Sequence, residues 1–169
     1  MKQMNWYIPK DLLTESIAIM RPHGRFGNEG LALWFGSEEG AYSKITHVIS
    51  VSGPGFRTTP LYMSLSLRAM SVLTDLAEKL DAFLIGQIHS HPGQFLDLSD
   101  LDKEQGIRIP GYLSVVCPYY AQKDIAGFGD CGIHLFEERY YRRLPSDEIR
   151  RRLIVGNTNV TKVHCEVPA

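Results

Sequence analysis

The sequence predicts an α/β domain of the α+β kind, with a mixed central β-sheet flanked by helices. Three observations carry this. An amphipathic pattern opens the chain in KDLLTESIAIMRPHG, where Leu12, Leu13, Ile17 and Met20 recur at helical spacing. A second spans Leu65 to Leu80, with Leu65, Ala69, Val72, Leu73, Leu76 and Leu80 on one face. Several short apolar runs of strand length accompany them, and AFLIGQIH is continuous enough for a central strand buried on both faces.

The remaining elements follow in order. Pro22 and Gly24 are expected to stop the first helix. EGLALWFG reads as a strand closed by Gly36, SEEG as a turn, and YSKITHVISV as the return strand of a hairpin, with Ile45, Val48 and Val51 as its apolar points. SGPGFRTTP reads as a loop; it lacks the lysine of a phosphate-binding loop. After AFLIGQIH, both GYLSVVCPYYA and GIHLFEERYYRRL read as strands. SDEIRRRL reads as a short helix with Ser146 as its N-cap, and NVTKVHCEV as a last strand.

Composition bounds the function. The 169 residues fit one domain, and 44% hydrophobic residues suffice for a sizeable core. A net charge of -1 argues against a broad grip on nucleic acid. Cys117, Cys131 and Cys165 form no CxxC pair, so they are expected to be buried or idle thiols of a reducing compartment. The chain shows neither a signal-peptide pattern nor an apolar run of about 18 residues, so a cytoplasmic protein without a membrane partner is expected. Arg139, Arg142, Arg143, Arg150, Arg151 and Arg152 are expected to form a solvated basic face. His23, His47, His134 and His164 lack ligand partners at useful spacing and read as structural or surface residues, and Trp34 as core.

The chemistry lies in GQIHSHPGQFLDLSDLD, Gly86 to Asp102. On a strand, residues two apart share a face, so His89 and His91 project side by side. Pro92 favours an extended His91 and ends the strand. Ser99 and Asp102 are three apart, which suits one face of a helix start. They equally suit a capping box, with Ser99 as N-cap and Asp102 reaching back. If the helix start folds over the strand end, Asp102 joins the histidines as a third ligand. Zinc is tetrahedral, so three protein ligands leave a position for water, as in catalytic sites.

His89-x-His91, seven residues, Ser99, two residues and Asp102 resembles the JAMM motif of the JAB/MPN metalloprotease family, Pro92 included. The resemblance runs from about Leu12 to Phe136 and implies the MPN (cytidine deaminase-like) fold. It also implies a glutamate at the head of an early strand, which NEGLALWFG supplies as Glu29. Glu38 and Glu39, in the expected turn, and Glu15, on the first helix, are the rivals. The implied mechanism is hydrolysis of an amide by water on one zinc ion, with Glu29 as general base and Ser99 as hydrogen-bond donor to the oxyanion.

The resemblance further implies a deubiquitinase-like isopeptidase of the stand-alone bacterial type. Its substrate would be the bond between the C-terminal glycine of a ubiquitin-like protein and a lysine amine. Trimming of a sulfur-carrier or ubiquitin-like precursor tail is one alternative, and a catalytically inactive MPN scaffold another. The implied partners are the ubiquitin-like protein with its conjugates, and the activating and conjugating enzymes of the same pathway. Some such pathways are antiphage systems. Loops Ser52 to Pro60 and Gly93 to Leu98 are expected to border a groove for an extended tail.

Overall fold

The structure, a computed structural model, describes residues 3–169. Along the chain run β1 (Asn5–Ile8), α1 (Leu12–Arg25), β2 (Leu31–Glu39), β3 (Tyr42–Ser52), β4 (Phe56–Thr58), β5 (Met63–Leu65), α2 (Leu67–Lys79), β6 (Phe83–Ser90) and α3 (Asp100–Gln105). Then come β7 (Leu113–Cys117), β8 (Gly132–Glu137), β9 (Tyr140–Arg143), α4 (Ser146–Arg152), β10 (Leu153–Val155) and β11 (Thr161–Glu166). Nine strands form one mixed sheet in the order β10-β1-β3-β2-β6-β7-β8-β9, with β11 beside the far half of β3. This is the α+β architecture that the sequence predicts.

The sheet is buried on both faces because β2 is apolar at every inward position. Ala32 and Trp34 pack with Leu12, Ile17 and Met20 of α1 on one face. Leu31, Leu33 and Phe35 pack with Ala69 and Leu73 of α2 on the other. The Trp34 indole N–H would be stranded in that core, and it donates to Ser16 Oγ at 2.9 Å. β6 follows the same logic and is buried from Ile85 to Ser90.

Several local expectations need correction. α1 runs through Pro22 to Arg25. A proline in the last turn forfeits one backbone bond, too little to end the helix early. β2 does not close at Gly36 but continues through Ser37–Glu39, and the turn falls at Gly40 and Ala41. A Cβ at Gly36 would meet Lys44 O at 1.9 Å, so this glycine permits close strand approach at a bulge. SGPGFRTTP contains β4, which pairs with β5 as a separate hairpin; strands of three residues are too short to show a period. Pro145, not Ser146, caps α4, and Ser146 makes no capping hydrogen bond. β1 and β10 are additional strands, and they pair with each other in parallel. Among the described residues no helix is long and apolar enough to cross a membrane. All three cysteines are free and buried.

The arginine segment also differs from a plain solvated face. Arg142 lies between Glu137, at 2.8 Å, and Glu148, at 2.7 Å. Arg152 is buried, bonds Glu148 at 2.9 Å and Met4 O at 2.9 Å, and covers the Trp6 ring. Apolar surface and carboxylates on β8 and α4 thus draw in two of the six arginines. Arg142 holds the Glu148 carboxyl down at about 2. Such a carboxylate stabilises the fold above its unfolded pKa and loses that contribution as pH falls towards its folded value. Arg142→Gln is therefore expected to lower stability most above about pH 5, where the pair contributes in full, and to change it little near about pH 2, as followed by circular dichroism of unfolding at each pH.

Candidate metal centre

The site is assembled by strand register. β2 pairs antiparallel with β6, with Leu31 opposite His89 and Ala32 opposite Ile88. Continuing the register sets Gly30 opposite Ser90 and Glu29 opposite His91. The first of these is locked twice: Gly30 N–H donates to Ser90 Oγ at 2.8 Å, and Ser90 N–H to Gly30 O at 3.1 Å. Ser90 faces α1, so strand alternation turns His89 and His91 to the opposite face. Glu29 follows the end of α1 directly and is anchored through its own N–H to Thr59 O at 2.9 Å.

Asp102 arrives from the other direction. The chain leaves β6 at Pro92, and its next loop lies directly on β8, where a Cβ at Gly132 would meet Leu96 O at 1.9 Å. α3 then starts at a full capping box. Ser99 Oγ accepts from Asp102 N–H at 3.0 Å, and Asp102 Oδ2 accepts from Ser99 N–H at 2.8 Å. Capping and ligation are therefore the same arrangement: the cap fixes the carboxylate that faces the histidines.

The three ligand atoms form a nearly equilateral triangle. His89 Nε2 and His91 Nε2 are 3.1 Å apart, and Asp102 Oδ2 lies 3.3 Å and 3.1 Å from them. Bonds of 2.0–2.2 Å to a tetrahedral ion imply ligand–ligand edges of about 3.3–3.5 Å. The triangle therefore fits one face of such a coordination shell with minimal adjustment. His91 Nδ1 lies 3.1 Å from Phe95 O and donates there, which leaves the Nε2 lone pair aimed at the triangle. A carboxylate Oε of Glu29 completes the group, and all four ligand atoms lie within 4.8 Å of one another. Among the described residues this is the one His/Cys/Asp/Glu cluster able to hold a metal ion.

The two carboxyls differ in charge state. Burial pushes Asp102 upward, but the facing imidazoles of His89 and His91 and the N–H of Ser99 outweigh it and hold Asp102 far below the usual carboxylate range. Glu29 is 2% exposed, and its Oε2 has no protein partner. Burial raises it to about 7, against the lowering effect of His91. The site thus pairs an ionised ligand with a carboxyl able to take or give a proton near neutrality. The donor set and the unpartnered glutamate oxygen fit a divalent ion of the zinc type.

The rival glutamates lie elsewhere. Glu38 pairs across the hairpin with Ser43, and Glu15 meets Lys162 at 3.5 Å. His47, His134 and His164 bond Thr46, Ser114 O and two serines, respectively, away from the cluster. The groove beside Asp102 is about 390 Å³, lined by Tyr62, Met63, Leu65, Met70, Gln87 and Leu101 among others. β5 and the start of α2 form its wall, not the expected loop Ser52 to Pro60. The Gly93–Leu98 loop instead reaches the centre through Phe95, whose ring lies parallel to His91. Sequence reading also passes over Tyr120, which lies by Glu29 and carries no motif signal.

Comparison with known proteins agrees with this geometry. No family model matches the chain. A protein of Sinorhizobium fredii (strain NBRC 101917 / NGR234) named "Probable metalloprotease y4jG" is 24% identical over 149 residues, spanning 88% of this chain and 92% of its own. The solution structure of protein DSY2949 from Desulfitobacterium hafniense superposes with a TM-score of 0.67 at 18% identity, covering 91% of this chain and 94% of the other, which shows a shared fold. AF2198, a JAB1/MPN domain protein from Archaeoglobus fulgidus, covers 92% of this chain and 99% of its own at 14% identity and a TM-score of 0.47. The motif spacing and the ligand triangle together resemble a JAMM-type metal centre, and the rhizobial relative named as a probable metalloprotease spans most of the chain.

Proposed function

We propose that the protein is a zinc-dependent isopeptidase that hydrolyses the amide after the C-terminal glycine of a ubiquitin-like protein, releasing it from a lysine amine. The observation that carries this reading is the ligand triangle with a buried, unpartnered carboxyl of near-neutral pKa beside it. Zinc, when bound, supplies Lewis-acid chemistry and lowers the pKa of water to about 7. His89, His91 and Asp102 would hold the ion. Glu29 accepts the proton of the attacking water and passes it to the departing amine. Ser99 keeps its hydroxyl hydrogen free while its oxygen caps α3, so it can donate to the oxyanion.

The groove supports an extended substrate. β5 is bonded to β4 along one edge and lines the groove beside Asp102. A narrow glycine-ended tail can lie along such a strand by main-chain hydrogen bonding. A precursor with a C-terminal extension would use the same groove, and conjugating enzymes of the pathway would be the further partners. The four site residues in one cluster speak against an inactive scaffold.

Metal analysis of purified protein is expected to find one zinc per chain, lost in His89→Ala and reduced in Asp102→Ala. Unchanged zinc in Asp102→Ala would make that residue a cap alone. Glu29→Gln should retain zinc and lose about 10²–10⁴-fold in cleavage, the usual contribution of a general base. Incubation with a lysine-linked conjugate and with a tail-extended precursor tells deconjugation from trimming. Cleavage of neither by the zinc-loaded protein would sink the proposal.

Glu29 also predicts a stability effect. Its folded pKa is raised above the unfolded value, so the folded state binds the extra proton, and stability falls as pH rises through that interval. In the metal-free protein, Glu29→Gln is expected to raise the melting temperature at about pH 8 and to change it little at about pH 4. Equal shifts at both pH values would contradict the buried, proton-binding carboxyl.

A further inference from the structure

Beyond β7 the chain enters a turn that no motif explains. Tyr119, Tyr120 and Ala121 have φ of 55°, 52° and 58°, three successive left-handed residues without a glycine. Side-chain-bearing residues enter this region at a cost, and a run of them persists only where the surroundings over-determine it. Here they do. Tyr119 N–H donates to Gly93 O at 3.0 Å and Tyr120 N–H to His91 O at 2.7 Å. Arg21 Nε donates to Ala121 O at 2.9 Å, and Gln122 Nε2 to Tyr120 O at 2.9 Å. The end of α1 presses on the turn so closely that a Cβ at Gly24 would meet Tyr120 O at 2.1 Å.

The product of this clamping is the direction of one side chain. Tyr120 Oη donates to Pro60 O at 2.8 Å, in the turn between β4 and β5. That turn is small and closed on itself: Thr59 Oγ1 accepts from Leu61 N–H at 3.3 Å and from Tyr62 N–H at 3.0 Å. Thr59 O accepts the N–H of Glu29, and Tyr62 opens the wall of the groove. One residue therefore bonds His91 through its backbone and, through its hydroxyl, the turn that leads into the groove wall at Tyr62. Burial and the charge of Glu29 both hold that hydroxyl protonated, as a donor.

We propose that Tyr120 is a positioning residue, a strut that sets the β4–β5 turn and the groove wall at a fixed distance from His91 and Glu29. It acts on where a substrate tail lies, not on the bond being broken, and in this it rests on the reading of the site as a hydrolase. The left-handed turn is the device that aims the strut.

The test is Tyr120→Phe in the full, zinc-loaded chain, which keeps the ring and removes the bond to Pro60 O. Amide hydrogen exchange at Leu61 and Tyr62 should accelerate about 5–10-fold, with β6 and β7 unchanged, as expected for loss of one hydrogen bond in a local unit. With a lysine-linked conjugate as substrate, KM should rise by a similar factor, with kcat and zinc content within about twofold of wild type. Unchanged exchange at Leu61 and Tyr62 overturns the strut whatever the substrate proves to be. Faster exchange with unchanged KM overturns its link to the groove. Loss of kcat or zinc at unchanged KM would place Tyr120 in the chemistry and overturn the positioning role. A wild-type protein that cleaves no conjugate defeats the hydrolase reading, and exchange alone then decides the strut.

Discussion

The metal centre depends on the antiparallel register between β2 and β6. A slip of one residue would turn Glu29 to the α1 face and His89 out of line with it, because the side-chain period of a strand is two. Two features hold the register. Burial on both faces penalises any slip, since Trp34 belongs against α1, and Leu33 and Phe35 against α2. The reciprocal bonds between Gly30 and Ser90 pin the last pair before the site. Gly30 has no alternative residue there: a Cβ would lie 2.8 Å from Met20 Cα. Ser90, the residue between the two histidines, is thus the one that fixes where they meet Glu29.

Around that register the fold gives two carboxyls opposite charge states within one small volume. Asp102 sits at a helix start, takes an N–H from Ser99 and faces two imidazoles, and every one of these favours the anion. Glu29 sits in a buried pocket where one of its oxygens has no protein partner, which favours the proton. The same functional group, under different solvation, is held once as an anion and once near neutrality. Unpaired buried polarity is costly to a fold, and at the site both Glu29 Oε2 and His89 Nδ1 carry it.

Several polar groups away from the site are paired instead, although Trp6 Nε1 and His134 Nε2 are buried without a hydrogen-bond partner. Arg142, Arg152, Glu137 and Glu148 close on one another and tie β8, β9 and α4 together, so their charges are consumed locally. Trp34 and Tyr112 each find a buried partner, in Ser16 and Gln87. The turn at Tyr119–Ala121 differs from the other connecting segments in holding three successive left-handed residues, bonded to α1 and to the loop after His91.

Much of the site was legible in the sequence because its parts are local. His-x-His on a strand, Pro92 behind it, and Ser99 with Asp102 at a helix start obey spacing rules that act within about one turn or one pleat. The two long helices and the buried strands were legible for the same reason, since each shows its own period over many residues. Short strands such as β4 and β10 carry too few residues for a period, and Gly36 and Pro22 are ambiguous until their neighbours are known. Glu29 needed the family pattern to be found at all. Only the tertiary structure decided that it meets His91, because strand register is set by pairing across sixty residues of chain. The groove wall, the fate of the arginines and the course of Tyr120 were likewise decided there, since each depends on contacts between segments distant in sequence, which no local spacing records.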